Sequence, residues 1–148
     1  MFLLVSPKSA HHGNMMRMSD LARERLTTLR NALLHWHKSL LDSERAAYER
    51  DVARITNAGQ FLQLVLSDPW FGWLREVSQF IVLVDEVMAQ KEEPVTPEYA
   101  ARLVEQAREM ATPSETGPDF ARAYNQAMQR DPSVVLAHGE LMSVFAGL

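Results

Sequence analysis

Several titratable side chains recur at spacings that could bring them together for acid–base or metal chemistry. On the first apolar stripe of the chain, His37, Glu44 and Asp51 follow one another at intervals of seven residues. Positions seven apart share a face of an α-helix, because the helix has 3.6 residues per turn. Tyr48 lies at the edge of the same stripe, and His138 lies in the middle of another stripe near the C-terminus. The pattern predicts polar groups turned toward the interior of a helical protein.

A carboxyl group on an apolar face needs a partner. An unpaired buried carboxylate is strongly destabilising, so Glu44 must meet a cation, take up a proton or open to water. Asp85, at the boundary of a later apolar face, could reach the same layer. The first interpretation is a structural network that fixes how the helices pack, formed around Glu44 by His37, Tyr48 and His138.

The alternative is a functional pocket around His37, Glu44 and His138. A carboxylate raises the pKa of a neighbouring imidazole and can form an acid–base pair with it near neutral pH. Two imidazoles and a carboxylate would also suit Zn or Fe. However, the sequence indicates no nucleophile with an adjacent base and oxyanion donors, and it lacks the paired Glu-x-x-His motifs of di-iron bundles. We therefore predict no catalytic residue, metal ligand or cofactor. The candidate polar pocket comprises His37, Glu44, Tyr48, Asp51, Asp85 and His138.

Two absences from the sequence narrow the chemistry further. The chain has no cysteine, which excludes disulfides, thiolate metal ligands and thiol catalysis. It also has no glycine-rich phosphate loop, which weighs against nucleotide binding.

Two long helices are predicted to position the candidate residues. The first apolar stripe predicts a helix over residues 19–55, which Ser19-Asp20 would cap at its N-terminus. Residues 41–44 contain an Asp and a Ser that could cap the chain again, so the prediction includes a break there. The second long helix covers residues 69–90 and begins at the cap-and-proline pair Asp68-Pro69.

Shorter helices complete the predicted fold. Helical spacing and proline-marked starts predict four of them, at residues 60–67, 97–111, 119–130 and 132–145. Nothing alternates in the manner of a β-strand. Because the connections are short, the predicted fold class is all-α, an antiparallel helical bundle of five to six helices. Residues 1–17 are predicted to be a flexible N-terminal extension, and residues 18–148 a single helical-bundle domain.

The charge and hydropathy of the chain bear on its partners. Its 148 residues carry a formal net charge of −4, with +1 from Lys8 in residues 1–16, +2 over residues 17–55 and −7 over residues 56–148. A weak basic stripe on the first helix is interpreted as a solvated face rather than a nucleic-acid interface. Its members are Arg23, Arg30, Lys38 and Arg45. The sequence contains no recognisable secretory signal or membrane span. We therefore predict a cytoplasmic protein that binds neither nucleic acid nor membranes.

Motifs in three segments, at residues 33–49, 62–86 and 131–142, recur in the same order in one protein family. They include the pair His37-Lys38, the turn Asp42-Ser43-Glu44-Arg45, the helix start Asp68 to Leu74 and the helix end Asp85-Glu86. In this pattern the chain resembles a family of small uncharacterised bacterial proteins. The resemblance covers most of residues 20–145. It implies a bacterial all-helical domain without an assigned activity.

These observations predict a non-enzymatic helical bundle that acts through protein–protein contact, as a regulatory or interaction module with a protein partner or as a homo-oligomer such as a homodimer. Surplus apolar surface on the first helix, or on the helix that contains Trp70, would form the interface. The alternative function is small-molecule or metal binding, with or without catalysis, around His37, Glu44 and His138. Geometry separates the two, because imidazoles more than about 8 Å apart could not share one ion or proton relay.

Overall fold

Residues 7–148 fold into six α-helices and one 3-10 helix. The computed structural model describes the backbone of residues 7–148 and the side chains of residues 17–148. The α-helices are α1 (Pro7–Asp51), α2 (Ala58–Ser67), α3 (Arg75–Ala89), α4 (Pro97–Met110), α5 (Asp119–Arg130) and α6 (Pro132–Gly147). The 3-10 helix, Pro69–Leu74, joins α2 to α3. No strand occurs within residues 7–148, so the all-α prediction is confirmed. Across the same residues, no helix combines the length and the apolar character needed to cross a membrane.

The first helix has different ends from those predicted. Within the described residues it extends from Pro7, well before the predicted start at Ser19, and it ends at Asp51, four residues before the predicted end. Of the predicted flexible extension, residues 1–6 lie outside the part of the chain that the structure describes. Residues 7–17 belong to α1, so the Ser-Asp pair lies within a helix and does not begin one.

The predicted break at residues 41–44 is wrong, since α1 continues through this segment. The polar side chains there have partners that leave the helical backbone intact. Asp42 pairs with Lys38 one turn earlier, with 3.2 Å between Oδ2 and Nζ. The next two side chains bond to Arg130 of α5. None of the three competes for the hydrogen bonds of the α1 backbone, so nothing interrupts the helix.

The second predicted long helix, residues 69–90, is divided into two kinds of helix. At its start, Asp68 accepts a hydrogen bond from the backbone N–H of Trp70 at 2.8 Å, as the cap-and-proline pair predicts. The first six residues form the 3-10 helix, in which side chains three positions apart line up. This alignment directs both Phe71 and Leu74 into the core, where their exposed fractions are 0% and 1%.

The helix at the centre of the packing is α1. Its buried stripe includes the large side chains of Leu26, Leu29, Leu33, Trp36 and Leu40. α3, α4 and α6 each pack against α1, and α5 packs against α6 and the 3-10 helix. Arg25 of α1 bonds the carbonyl of Leu148 at the end of α6. Further along α1, His35 pairs with Glu140, so α1 and α6 run in opposite directions.

Arginine side chains from neighbouring elements hold the carboxyl ends of several helices. Arg23 of α1 donates to the carbonyls of Met88 and Gln90 at the end of α3. Arg108 of α4 donates to the carbonyl of Phe145 near the end of α6, at 2.6 Å. The last carbonyls of a helix lack donors within it, and they form the negative end of the helix dipole. A guanidinium from another helix therefore satisfies these groups and ties the two helices together.

Candidate functional site

The six residues of the predicted polar pocket are divided among α1, α3 and α6. They are His37, Glu44, Tyr48, Asp51, Asp85 and His138. Among the side chains of residues 17–148, no hydrogen bond or ion pair joins any two of these six. Nor does that part of the chain place any three His, Asp or Glu side chains so that they could hold a metal ion. The hydrogen bonds and ion pairs of these residues therefore go to other partners, and a shared pocket stays a prediction.

His138 belongs to a chain of hydrogen bonds through the core. Trp36 of α1 donates its indole N–H to the hydroxyl of Tyr124 on α5, at 3.1 Å. The same hydroxyl lies 2.6 Å from Nδ1 of His138 on α6. Since an indole N–H can only donate, the Tyr124 oxygen accepts the hydrogen bond from Trp36, and the Tyr124 O–H donates a hydrogen bond to Nδ1 of His138. The imidazole then carries its proton on Nε2 when it is neutral.

Burial keeps both titratable members of this chain uncharged near neutral pH. It lowers the pKa of His138 below the usual value of 6.5. It also raises the pKa of Tyr124 to about 12, although the hydrogen bond from Trp36 works in the opposite direction. A neutral phenol and a neutral imidazole form a matched donor and acceptor. The arrangement therefore holds three helices in register. Because Tyr124 keeps its proton near neutral pH, it does not act there as a base.

His37 lies half-buried on α1, near the junction of the 3-10 helix with α3. Burial lowers its pKa below the usual 6.5, and the backbone of Leu74 opposes that shift. Among the side chains of residues 17–148, no hydrogen bond joins His37 to Glu44 or to His138, which bond to Arg130 and Tyr124 instead. His37 is thus a second imidazole that burial keeps neutral, without the carboxylate that would have made it an acid–base pair.

Glu44 is buried as predicted, but its partner is a guanidinium rather than an imidazole. Its side chain is 7% exposed and lies 2.8 Å from Nη2 of Arg130, the last residue of α5. The same nitrogen is 3.3 Å from the hydroxyl of Ser43. Arg130 thereby supplies the cation that a buried carboxylate requires. It is separated from Glu44 by 86 residues of sequence, which is why the local pattern could not identify it.

Arg130 also lies beside the residue that begins α6. Asp131 caps α6 by accepting the N–H of Ser133 at 2.9 Å. Burial works to raise the pKa of the Asp131 carboxyl, but bonds from Ser133 and Ser43 and the charge of Arg130 outweigh it and lower the pKa. We call this group the Arg130 cluster, and it consists of Ser43, Glu44, Arg130, Asp131 and Ser133. It connects α1 to the junction between α5 and α6.

The remaining candidate residues have structural or solvent contacts. Tyr48 packs edge-on against Trp70, with ring centroids 5.7 Å apart. Asp85 pairs with Arg30 between α3 and α1, and its side chain is 40% exposed. Asp51 is 52% exposed, contrary to the prediction that it turns inward. The reason is that α1 ends at Asp51, beyond the last buried side chain of the helix.

The basic stripe on α1 is engaged within the chain. Arg23 bonds the end of α3, and Arg30 pairs with Asp85, which also lies on α3. Lys38 and Arg45 each pair with an acid one turn later on α1, at 3.2 and 3.0 Å. These contacts fit the interpretation of the stripe as a solvated face. The absence of nucleic-acid binding stays a prediction.

A groove lies between α3 and α4, away from the predicted residues. The two helices both pack against α1 but make few contacts with each other, which leaves a space of about 430 Å³. Leu83 and Val87 line one side and Tyr99 the other, with Glu86 and Arg102 among the lining charges. None of the six candidate residues lines this groove. It therefore offers no support for the chemistry that the sequence suggested.

The second helix combines exposed apolar side chains with the absence of any charged residue. α2 is ten residues long, contains no charged side chain and has no fully buried residue. Phe61, Leu64 and Val65 pack partly against the core. On the opposite side, Leu62 and Leu66 are 58% and 62% exposed. We define the outer face of α2 as Ala58, Gly59, Leu62, Gln63 and Leu66, all of which are exposed.

Sequence reasoning missed three features of this arrangement. Arg130 gave no signal beyond its place in the last turn of a helix. Tyr124 lies on the apolar face of α5, and a buried tyrosine usually needs a hydrogen-bond partner, so its pairing with another helix could have been anticipated. The charge-free segment of α2 was visible in the sequence, but the periodicity alone does not show which of its sides is covered.

Comparisons with known proteins do not add an activity to this geometry. Protein-family models, curated proteins and solved structures all give no match to the chain. The resemblance to a bacterial family therefore stays a prediction. The function must be argued from the side chains and surfaces described above.

Proposed function

We propose that the chain is a non-enzymatic, cytoplasmic helical module of a bacterial cell, and that it acts by docking another protein surface on the outer face of α2. The observation that carries this proposal is the exposure of Leu62 and Leu66 on a helix without charge. Covering a leucine side chain fully contributes roughly 1.5–3 kcal/mol. Two leucines one turn apart form the kind of apolar stripe that helical interfaces use.

The length of α2 also supports a docked partner. An isolated helix of fewer than about 12 residues is marginal in water, so such a helix depends on packing. α2 has ten residues and packs mainly on the 3-10 helix that follows it. A partner on its outer face would bury its second apolar side and stabilise it.

The surfaces predicted for the interface are less suitable. Trp70 is half-buried and packs against the core. On α1, Met18 and Leu21 are exposed one turn apart beside the charged Asp20 and Glu24, while Leu34 and Val52 stand singly. Single exposed apolar residues are common on protein surfaces and need no partner. The outer face of α2 differs because its exposed leucines lie on an α-helix that carries no charged residue.

The alternative function has weaker support. A pocket around His37, Glu44 and His138 would need their side chains to be free for a ligand. Glu44 is hydrogen-bonded to Arg130, and His138 is hydrogen-bonded to Tyr124. These contacts favour the interpretation of the polar residues as links between helices.

Site-specific photo-crosslinking in the native host tests the proposed module. A photo-crosslinking amino acid at position 63 would sample the outer face of α2, and one at position 136, where Leu136 is 70% exposed on α6, is the control. We expect defined adducts from position 63, and we expect Leu66→Gln to abolish them. Equal adducts from both positions, or none from position 63, would contradict the proposal.

A further inference from the structure

We infer that the protein surface docked on the outer face of α2 is a second copy of this chain, so that two α2 helices pack across a two-fold axis. This inference rests on the proposed function and names its partner. In a two-fold interface, each residue near the axis meets its own counterpart. A surface that serves this purpose must therefore be complementary to itself.

The charge of the chain favours α2 for such a contact. The whole chain has a net charge of −4, so two copies repel each other on average. A charged helix face placed against its own copy would set like charges opposite one another. α2 carries no ionised side chain, so pairing two copies of it avoids this repulsion. By contrast, α4 carries Glu98, Glu105 and Glu109, whose copies would repel.

The absence of charge also argues against a dissimilar partner. Interfaces between different proteins commonly use complementary charges to select one partner and reject others. The outer face of α2 offers no such pattern. Gln63 is the one polar side chain of this face, and its amide can both donate and accept hydrogen bonds. An amide of this kind is complementary to its own copy.

The position of Gln63 fits a two-fold axis. It lies at the middle of α2, beside Leu62, with Leu66 one turn further along. When two helices cross about an axis at their midpoints, the central residues of each lie opposite those of the other. At the start of the face, Ala58 and Gly59 are small, and a side chain at Gly59 would meet only Asn57 of its own loop, at 3.3 Å. A second helix can therefore approach this end closely.

The size of the face predicts a weak dimer. Ten residues span about 15 Å of helix. A standard stable interface buries about 800 Å² on each partner, which is more than one face of so short a helix supplies. We therefore expect association in the micromolar range or weaker. Because the contact is apolar and uncharged, added salt should not weaken it.

Sedimentation of the full chain tests the inference. The concentration should range from about 5 to about 500 µM, to cover the affinity expected of a small interface. We expect the mass to rise toward twice that of the monomer, at low and at high salt alike. Leu62→Gln/Leu66→Gln should stay monomeric, while the control Leu136→Gln, at another exposed leucine, should associate like the parent. A parent chain that stays monomeric throughout, a double variant that still associates, or a dimer that salt dissociates would overturn the inference.

Charge variants at the centre of the face give a test that does not depend on loss of packing. Gln63→Glu alone and Gln63→Lys alone should each associate less than the parent, because like charges would face each other across the axis. A mixture of the two should associate again, and salt should weaken that mixed dimer. No recovery in the mixture would contradict the two-fold arrangement.

The two proposals can fail separately. If the chain is monomeric in sedimentation but position 63 crosslinks to a different protein, the second copy is excluded and the interaction module stands. If position 63 gives no adduct and the chain is monomeric, both proposals are refuted. An adduct of two copies of the chain, lost in Leu66→Gln, supports both.

Discussion

The hydroxyl oxygen of Tyr124 lies 2.6 Å from Nδ1 of His138, and this hydrogen bond joins α5 to α6 inside the protein. The same oxygen accepts the indole N–H of Trp36 from α1. One oxygen atom therefore links three helices. Tyr124 is 0% exposed, so water is not in place to replace a lost partner.

Tyr124→Phe should destabilise the fold without changing the volume of the core appreciably. The change removes the shared oxygen and leaves the Trp36 N–H and the His138 Nδ1 without their partner. Leaving buried polar groups unsatisfied costs about 1–3 kcal/mol, and urea unfolding would measure the loss. Tyr48→Phe is the matched control, since Tyr48 is half-buried and packs through its ring. Equal losses in the two variants would show that the hydrogen-bond chain contributes nothing specific.

Stability should fall as the pH drops below about 6.5. Burial lowers the pKa of both His37 and His138 in the folded protein, so the unfolded chain takes up protons at a higher pH than the folded chain does. The contribution of the two neutral imidazoles to stability is complete above pH 6.5, the pKa in the unfolded chain. It decreases as the pH falls from 6.5 through the lower pKa values of the folded protein. Protonation of His138 would also remove the acceptor of the Tyr124 hydroxyl.

Urea unfolding as a function of pH measures this effect. Between about pH 7.5 and 5.5, the parent should lose more stability than His37→Gln/His138→Gln, whose side chains do not titrate. His35→Gln is the control, because the His35 side chain is 66% exposed. This variant should lose as much stability as the parent when the pH is lowered. A double variant with the same pH dependence as the parent would contradict the assignment.

The Arg130 cluster predicts a large effect at Glu44 and a small one at a nearby surface acid. Glu44→Ala leaves the partly buried Arg130 without its carboxylate and should cost about 1–3 kcal/mol. Glu49→Ala removes the acid of an exposed pair with Arg45 and should cost less than about 1 kcal/mol. Unfolding of both variants, and of Arg130→Met alone and combined with Glu44→Ala, gives the coupling energy. Additive losses at Glu44 and Arg130 would mean that the observed contact has no energetic weight.

The arginine that holds the end of α3 should have a local effect. Arg23→Met keeps much of the apolar stem but removes the donors to the carbonyls of Met88 and Gln90. We expect a loss of about 1 kcal/mol and faster amide hydrogen exchange in the last turn of α3. Arg102→Met, at an exposed arginine stacked on Tyr99, should leave that turn unchanged. Equal exchange in the two variants would argue against the capping role.

Local signals in the sequence predicted much of the fold. Asp68, Thr96 and Asp131 each precede a proline, and each accepts a hydrogen bond from a backbone N–H of the helix that follows. A cap and the proline after it act within a few residues, so their effect can be read from the chain itself. The apolar stripe of α1 likewise identified its buried side, and with it the burial of Glu44.

The candidate site could not be predicted in the same way, because its contacts are distant in sequence. The helical wheel placed Glu44 inward but gave no information on which helix would lie opposite. In the structure, Arg130 reaches Glu44 from the end of α5. His138 is hydrogen-bonded to Tyr124 of α5, not to another histidine. The change from a 3-10 helix to α3 also depends on how Phe71 and Leu74 fit the core. These outcomes follow from packing between elements rather than from the period of one element.

The polar residues of the helices thus serve the packing of the fold, while the exposed leucines of α2 form the surface proposed for function. Amide hydrogen exchange at low and high protein concentration tests that claim most directly. The amides of α2 should exchange more slowly at high concentration, whereas those of α6 should be unaffected. Exchange of α2 that is independent of concentration would contradict the proposed docking of a second copy there.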